Sequence, residues 1–535
     1  MKKAVSVLLA LVLALGLLAL APVAASAADI ATPMIAAKYY HSLALKSDGT
    51  VWAWGQNTYG QVGDGTTTNK RTPVQVSGLN GVTAVAAGEY HSLALKSDGT
   101  VWAWGENGHG QLGDGTTTDS GAPVQVKGAG GAGSLSGVAV IASGGHGHSL
   151  ALKSDGTVWA WGYNYAGQLG DGTTTDSSTP VQVLGAGGEG FLSGVTAIST
   201  GRGHSLALKN DGTVWAWGYN VYGQLGDGTA GLSTNKGLPV QVMASADVPL
   251  SGVTAIGGGY MYSLALKSDG TVWAWGWNHQ GELGDGTADS YKTSPVQVSG
   301  PGGTGFLSGV TAIAAGYSNS LALKSDGTVW AWGYNYAGQL GDGTNTNKNS
   351  PVQVLGPGGA GHLSGVTAVA AGYNSLALKS DGTVWAWGDN GFGELGDGTT
   401  SNRTTPVQVK GAGGAGWLNL HAAGPAAYTL TVVNGTGSGS YEAGAVVPIT
   451  ADAAPEGQVF DKWTATGGGT FADANSASTT FAMPANAATV TAAYKGGGTP
   501  PPPEKGIFGT NPRWTGAWWH YVLFFVGFGF LWMWF

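Results

Sequence analysis

The chain has 535 residues, no cysteine, 96 glycines, only 10% charged residues and a formal net charge of -8. Without cysteine there are no disulfides, haem thiolates or cysteine zinc sites, so the fold must rest on burial and backbone pairing, which this length permits. The sparse and net acidic charge lacks the footprint that grips phosphate backbones, which argues against nucleic-acid binding, and the glycines lack collagen's strict period of three.

The chain opens on "MKK", an apolar run from Ala4 to Ala21, and "PVAASA", a small-residue pattern ending near Ala27. That order is the signature of a secretory signal peptide over residues 1–27 and predicts an exported chain. A repeat follows. "SLALKSDGTVWAWG" starts at Ser42 and returns, with one Asn for Ser, at Ser92, Ser149, Ser205, Ser263, Ser320 and Ser375, at intervals of 50 to 58 residues. One fold unit is being reused.

A full copy, residues 81–128, holds four short extended segments, "VTAVA", "HSLALK", "VWAWG" and "PVQV", separated by Gly, Asp and Asn. Asp48-Gly49 and its equivalents sit between the second and third segments, where a two-residue turn with positive φ reverses the chain, so the quoted stretch is a β-hairpin. Small residues in the first segment and two Trp in the third suit a wedge with a crowded inner strand and a roomier outer part. Seven such four-stranded units, closing in a ring over residues 32–424, make a seven-bladed β-propeller. "PMIAAK" (33–38) and "LNLHAAG" (418–424) both look like worn first segments; either they compete for the role that closes the ring or one of them pairs at an edge.

The segments "AAGEYHSLALKSDG", "VWAWGENGHGQLGDG" and "PVQV" resemble the repeat of the regulator of chromosome condensation family, whose members are seven-bladed propellers. The eukaryotic namesake is a nuclear exchange factor for a small GTPase; with a signal peptide and an acidic balance, the resemblance implies instead a bacterial, secreted branch. It supplies architecture more firmly than function.

Several motifs invite chemistry and are read as structure. "GAGGAG" (128–133), "GAGGEG" (185–190) and "GPGGTG" (300–305) match a dinucleotide fingerprint but are followed by "LSGV" and a strand, not by a helix. "GDGT", at Asp64, Asp114, Asp171, Asp227, Asp285, Asp342 and Asp397, offers mainly one carboxylate per loop, too few oxygens for calcium, and fits Asp bonding its own turn. His41, His91, His148 and His204 precede the repeated Ser, with Tyr262, Asn319 and Asn374 in the other copies; what persists is a hydrogen-bonding side chain, read as a structural partner for backbone at a strand start and not as a metal ligand. Glu106, Glu189, Glu282 and Glu394 differ between copies and are the only suspects for a carboxylate pair. No nucleophile signature is present. Catalytic residues, metal ligands and cofactors are therefore expected to be absent.

Aromatic residues after "WAWG" are the candidate binding face: Tyr59, Tyr163, Tyr165, Tyr219, Tyr222, Trp277, Tyr334, Tyr336 and Phe392. All lie between the third and fourth strands, so ring geometry collects them at one end of the propeller, where they either form a binding face or cap the hydrophobic gaps between blades.

From Tyr428 to Tyr494 a second, small β-rich domain is predicted from the alternation in "YTLTVV" and "TVTAAY". "FDKW" and "FAMPANAATVTAAY" resemble the divergent internalin-type bacterial repeat, which implies a spacer module. A Gly/Pro linker (496–505) leads to the uncharged run 517–535, which as a helix would span about 28 Å, close to a bilayer core, with Trp at both ends. It is expected to be a C-terminal transmembrane helix.

The order of segments predicts a cell-surface binding or adhesion protein, exported and anchored in the cytoplasmic membrane, that presents its propeller to an extracellular protein or glycan and not to nucleic acid. The alternatives are an extracellular polysaccharide-acting enzyme and an inhibitor of a secreted protein.

Overall fold

A computed structural model of the chain describes residues 31–421 and 427–497, apart from 443 and 485. The chain divides into two compact units, Met1–Gly424 and Pro425–Phe535.

In the first unit each repeat is one antiparallel four-stranded sheet whose strands neighbour one another in sequence order. The first blade consists of β1 (Met34–Ala37), β2 (His41–Leu45), β3 (Val51–Gly55) and β4 (Lys70–Gln75). Six more blades of the same order begin at Val82, Val138, Val195, Val253, Val310 and Val366. Asp48 fixes the hairpin by accepting the Thr50 N–H at 2.9 Å, while Gly49 takes φ +78°, which a side chain would resist. Every residue of β2 and β3 is buried, because neighbouring blades cover both faces of the hairpin.

Each blade completes the core of the one before it. Leu93, Leu95, Val101, Ala103, Leu112 and Val126 of the second blade pack with Val138, Ile141, Ala151 and Trp161 of the third, and this set recurs around the ring. The second Trp of each pair is fully buried and donates Nε1–H to a backbone carbonyl of the preceding blade: Trp104 to Gln61 at 2.8 Å, Trp161 to Gln111 at 2.9 Å, Trp217 to Gln168 at 2.8 Å. The same carbonyl accepts the hydroxyl of the repeated serine, for example Ser92 to Gln61 at 2.8 Å. Both bonds also cross from the first blade to the seventh, where Trp54 and Ser42 meet the carbonyl of Glu394 at 2.7 and 3.0 Å.

The two worn segments do not compete. Met34–Ala37 pairs with β2 as the inner strand of the first blade, whereas Leu418 and Leu420 are buried in the core shared by blades seven and one. Leu420 donates its N–H to Gly382 and accepts that of Ser47, both at 2.9 Å, so it takes the place that the start of the next blade holds elsewhere.

Each loop after "WAWG" is organised by a buried asparagine. Asn107 accepts the Leu112 N–H at 2.9 Å and donates Nδ2 to Thr116 and Thr118. Replacing Asn107 by alanine leaves the buried Leu112 amide without its acceptor, and is expected to cost about 1–3 kcal/mol in urea unfolding.

The second unit holds two four-stranded sheets. Its core is formed by Leu430, Val432, Val447, Ile449, Trp463, Phe481, Met483, Val490 and Ala492. Ala427–Val433 and Ala488–Gly496 pair in parallel at its centre, and Trp463 donates Nε1–H to Ser476 O at 3.1 Å.

The all-β expectation needs one correction. Helical structure among the described residues is confined to three-residue 3₁₀ turns, and no helix there is long and apolar enough to cross a membrane. The C-terminal transmembrane helix is accordingly removed from the fold class; residues 517–535 and the signal-peptide stretch 1–27 lie outside the described residues.

Candidate functional site

Strand direction places two sets of loops at one end of every blade, those joining strands one and two and those joining strands three and four. The second set carries the nine aromatic candidates. The first set carries "KYY", "GEY", "GHG", "GRG", "GYM", "GYS" and "GY", just before the repeated strand, and supplies the centre of the site.

A train of rings runs across these inner loops. The Arg202 guanidinium lies over the Tyr260 ring at 4.5 Å and donates to its hydroxyl. Tyr260 packs on Tyr317 at 4.2 Å, Tyr317 stacks on Tyr373 at 4.1 Å, Tyr373 on Tyr40 at 4.8 Å and Tyr40 on Tyr90 at 5.8 Å. The arc thus passes from the fourth blade through the seventh and first to the second. Backbone bonds between adjacent loops hold it: Arg202 N–H to Tyr260 O, Tyr260 N–H to Tyr317 O, Tyr317 N–H to Gly372 O and Tyr373 N–H to Tyr39 O.

Lys38 stands where the other blades have Gly88, Gly144, Gly201, Gly259, Gly316 and Gly372. Its ammonium reaches from the first blade to the carbonyls of Thr200 and Gly258, across the ring axis. Burial lowers its pKa to about 7. Tyr39 beside it is 1% exposed and meets Tyr260, Tyr317 and Tyr373 edge-on, so the two side chains fill the axial end. Burial raises the Glu89 carboxyl to about 7 against the pull of Arg202, and burial with the Arg202 charge lowers His146 to about 4.

The nine candidates form a broken rim around this centre. Tyr59 and Phe392 join the arc, Tyr59 against Tyr90 at 5.2 Å and Phe392 against Tyr40 at 5.8 Å. Tyr163 meets Tyr165, His109 and His146. Tyr222 pairs with Trp277, and Tyr334 with Tyr336. Tyr219 makes no ring contact among the described residues and lies against the backbone of Gly203. Tyr165 and Tyr336 are 71% and 65% exposed; the others are covered to a greater degree.

The motifs that invited chemistry have structural partners. His41, His91, His148 and His204 bond the repeated serine of the next blade through Nε2, and burial holds all four imidazoles well below their ordinary pKa. Tyr262, Asn319 and Asn374 make the same crossing, Asn374 to Ser42 closing the ring. Asp64 accepts the N–H and hydroxyl of Thr66 in its own turn and pairs with Lys70 at 2.6 Å. The Gly-rich loops link the outer strand of one blade to the inner strand of the next. Glu189 is exposed in one of them, Glu106 lies at the aromatic end, and Glu282 and Glu394 are fully buried between blades, so the four acids do not converge. The chain has no cysteine, and among the described residues no group of three or more His, Asp or Glu could hold a metal ion.

Fold and site define a repeat propeller with an aromatic loop face. The RCC1-like domain model matches residues 133–439, and the Regulator of chromosome condensation (RCC1) repeat model matches 48–95 and 98–152, so the chain belongs to the RCC1 repeat family. A Divergent InlB B-repeat domain model matches 428–498. The Ultraviolet-B receptor UVR8 of Arabidopsis thaliana is 32% identical over 71% of this chain and 83% of its own length. The probable E3 ubiquitin-protein ligase HERC6 of Homo sapiens is 34% identical over 52% of this chain but only 26% of its own length. The crystal structure of Prp20p from Saccharomyces cerevisiae superposes with a TM-score of 0.56 at 23% identity, over 70% of this chain and 88% of that one, a likeness of fold alone.

These relatives are plant, human and yeast proteins, which corrects the expectation of a bacterial secreted branch. None of their names describes a cell-surface adhesin, a polysaccharide-acting enzyme or an inhibitor of a secreted protein. The expected cell-surface function, the extracellular protein or glycan partner, the membrane as a partner and the exported, membrane-anchored location are corrected with it. Among the described residues no helix is long and apolar enough to cross a membrane.

Proposed function

We propose that the propeller is a protein-interaction scaffold that engages a partner protein through the end of the ring bearing the tyrosine arc and its aromatic rim. The observation that carries this reading is the arc itself, a continuous series of rings running from Arg202 through Tyr260, Tyr317, Tyr373 and Tyr40 to Tyr90. Tyr and Arg dominate binding hot spots, and rigid rings supply contact area at low entropic cost. Family members support a binding role: one is named as a receptor, another as a probable ubiquitin ligase, and yeast Prp20p is described with binding properties to Gsp1p and histones.

The test compares the two ends of the ring. Replacing Tyr163, Tyr165, Tyr334 and Tyr336 together by serine is expected to weaken affinity for a partner recovered by cross-linking by about tenfold or more, with the melting temperature retained. Replacing the exposed Phe191, Phe306 and Trp417, which lie in the linker loops at the opposite end, is expected to leave that affinity unchanged. The opposite pattern would defeat the assignment of the face.

A further inference from the structure

Two recurring loop positions face each other where neighbouring blades meet; among the described residues their side chains bond across the gap at two of the seven interfaces, and Ala166 and Ala337 hold the first position at two others. One lies two residues before the buried Gln or Glu of a loop, and the other accepts the asparagine backbone N–H of the next blade. Where blade two meets blade three these positions are His109 and Asp176, bonded at 2.8 Å. Where blade five meets blade six they are Gln280 and Asn347, also bonded to each other. Where blade seven meets blade one they are Phe392 and Asn69. Phenylalanine has no donor or acceptor to bridge the gap. At this seam a cleft of about 440 Å³ opens, lined by Thr67, Thr68, Asn69, Arg71, Phe392 and Thr400.

Arg71 sets this cleft apart. The corresponding residues on the other blades are Gly121, Ser178, Gly237, Thr293, Asn349 and Thr404, all small or neutral. Arg71 is exposed and has no ion pair or side-chain hydrogen bond among the described residues. The neighbouring Lys70 is committed to Asp64 at 2.6 Å, and Arg403 on the seventh blade to Asp397 at 2.8 Å. The cleft therefore holds an uncommitted guanidinium among three threonines, on a chain whose net charge is -8. Phe392, one wall of the cleft, lies edge-on to Tyr40, so the cleft opens beside the tyrosine arc.

We infer that the cleft between blades seven and one is a subsite for a carboxylate side chain of the partner, with Arg71 as its anchor and Phe392 as its apolar wall. The inference rests on the scaffold reading above and specifies the chemistry that reading leaves open. A guanidinium presents paired N–H donors that match the two oxygens of a carboxylate. A volume of several hundred Å³ accommodates an acidic side chain with its flanking backbone.

The test uses the full chain and a fluorophore-labelled hexaglutamate peptide, with hexaglutamine as its neutral counterpart, read by fluorescence anisotropy. Hexaglutamate is expected to bind and hexaglutamine not, with binding weakening as salt is raised. Arg71→Gln is expected to weaken hexaglutamate binding about tenfold, and Arg71→Lys to restore part of it. Phe392→Gln recreates the Gln–Asn pair of the interface between blades five and six. It is expected to close the cleft and weaken binding while Arg71 and the melting temperature are retained. Equal binding of both peptides, no binding of hexaglutamate, or hexaglutamate binding indifferent to Arg71→Gln and Phe392→Gln would overturn the subsite. A cross-linked partner that still binds Arg71→Gln but not the tyrosine variant would overturn the subsite alone and leave the scaffold standing.

Discussion

Replacing Trp217 by alanine is expected to destabilise the propeller by about 3–5 kcal/mol, read as a drop in the urea midpoint, whereas replacing the partly buried Trp215, two residues earlier, costs less, about 1–2 kcal/mol. Both belong to the same "VWAWG" strand and point to the same face, but they sit at different depths in its core. Trp217 is fully buried among Leu150, Leu152, Val158, Leu169, Val183 and Ile198 of the third and fourth blades. It also donates Nε1–H to Gln168 O at 2.8 Å. Its removal opens a cavity at an interface that a stiff sheet cannot collapse to fill. Trp215 lies on the same face and packs against the edge of the same core, but it is only partly buried, with the Lys209 ammonium 5.2 Å from its ring. A Trp217→Phe variant separates packing from the hydrogen bond. Because Gln168 O keeps the Ser205 hydroxyl at 2.9 Å, losing the indole N–H orphans no acceptor and should cost only about 1–2 kcal/mol. Equal costs for Trp215 and Trp217 would show that the blades are not held by this contact.

The repeat makes the blade readable because its periodicity names four extended segments, and Asp48-Gly49 marks the tight reversal between two of them. The residue before each repeated serine is readable only in part: its hydrogen-bonding character is legible, but the partner these residues share is a side chain and not the backbone at the strand start. His, Tyr and Asn share only the capacity for a hydrogen bond, and each uses it on the next blade's serine. Ring closure is not readable. Met34–Ala37 and 418–420 both resemble first segments, and only three-dimensional register shows one as a strand and the other as the strap against Gly382 and Ser47. The centre of the site escapes the sequence for a related reason. The loops before "HSLALK" contribute only one or two side chains each, too few to stand out, yet seven of them converge on one axis. The available signal is contrast: between nearly invariant strands, "KYY", "GEY" and "GRG" vary freely, and scaffold residues have no reason to do so. Glu282 and Glu394 read as loop acids when taken singly. Their shared register with Gln61, Gln111, Gln168, Gln224 and Gln339 points instead to an interface position.

That register carries the second large effect. Glu282→Gln and Glu394→Gln are each expected to stabilise the propeller by up to about 3 kcal/mol at pH 8.5 and to leave it almost unchanged at pH 4. Both carboxyls are fully buried; each accepts one backbone N–H through Oε2, from Gln280 and Phe392 at 2.8 Å, while Oε1 has no partner among the described residues. Burial raises each from 4.5 to about 7, and for Glu394 the nearby Asp389 adds to the rise. A carboxyl raised in the folded state binds its proton more tightly there than in the unfolded chain. Its contribution is therefore fully present below about pH 4.5 and is lost as pH climbs through 7. The amide reproduces the neutral acid in shape and never ionises. In the same register the Nε2 groups of Gln61 and Gln111 are unpartnered among the described residues and that of Gln224 meets only the Met261 sulfur at 3.5 Å, so loss of the charge is the main difference. Glu282 lies where blade five meets blade six and Glu394 where blade seven meets blade one, and the carbonyl of each holds the next blade's Trp and Ser. Ionisation therefore strains two of the seven blade interfaces, one of them the seam. Urea unfolding of the wild type and of each variant, followed from pH 4 to 9, should give a wild-type midpoint that falls between about pH 5 and 8 and flatter profiles for the variants. Parallel profiles for all three proteins would show that these acids ionise without penalty, and that solvent reaches both interfaces readily enough to hydrate the charge.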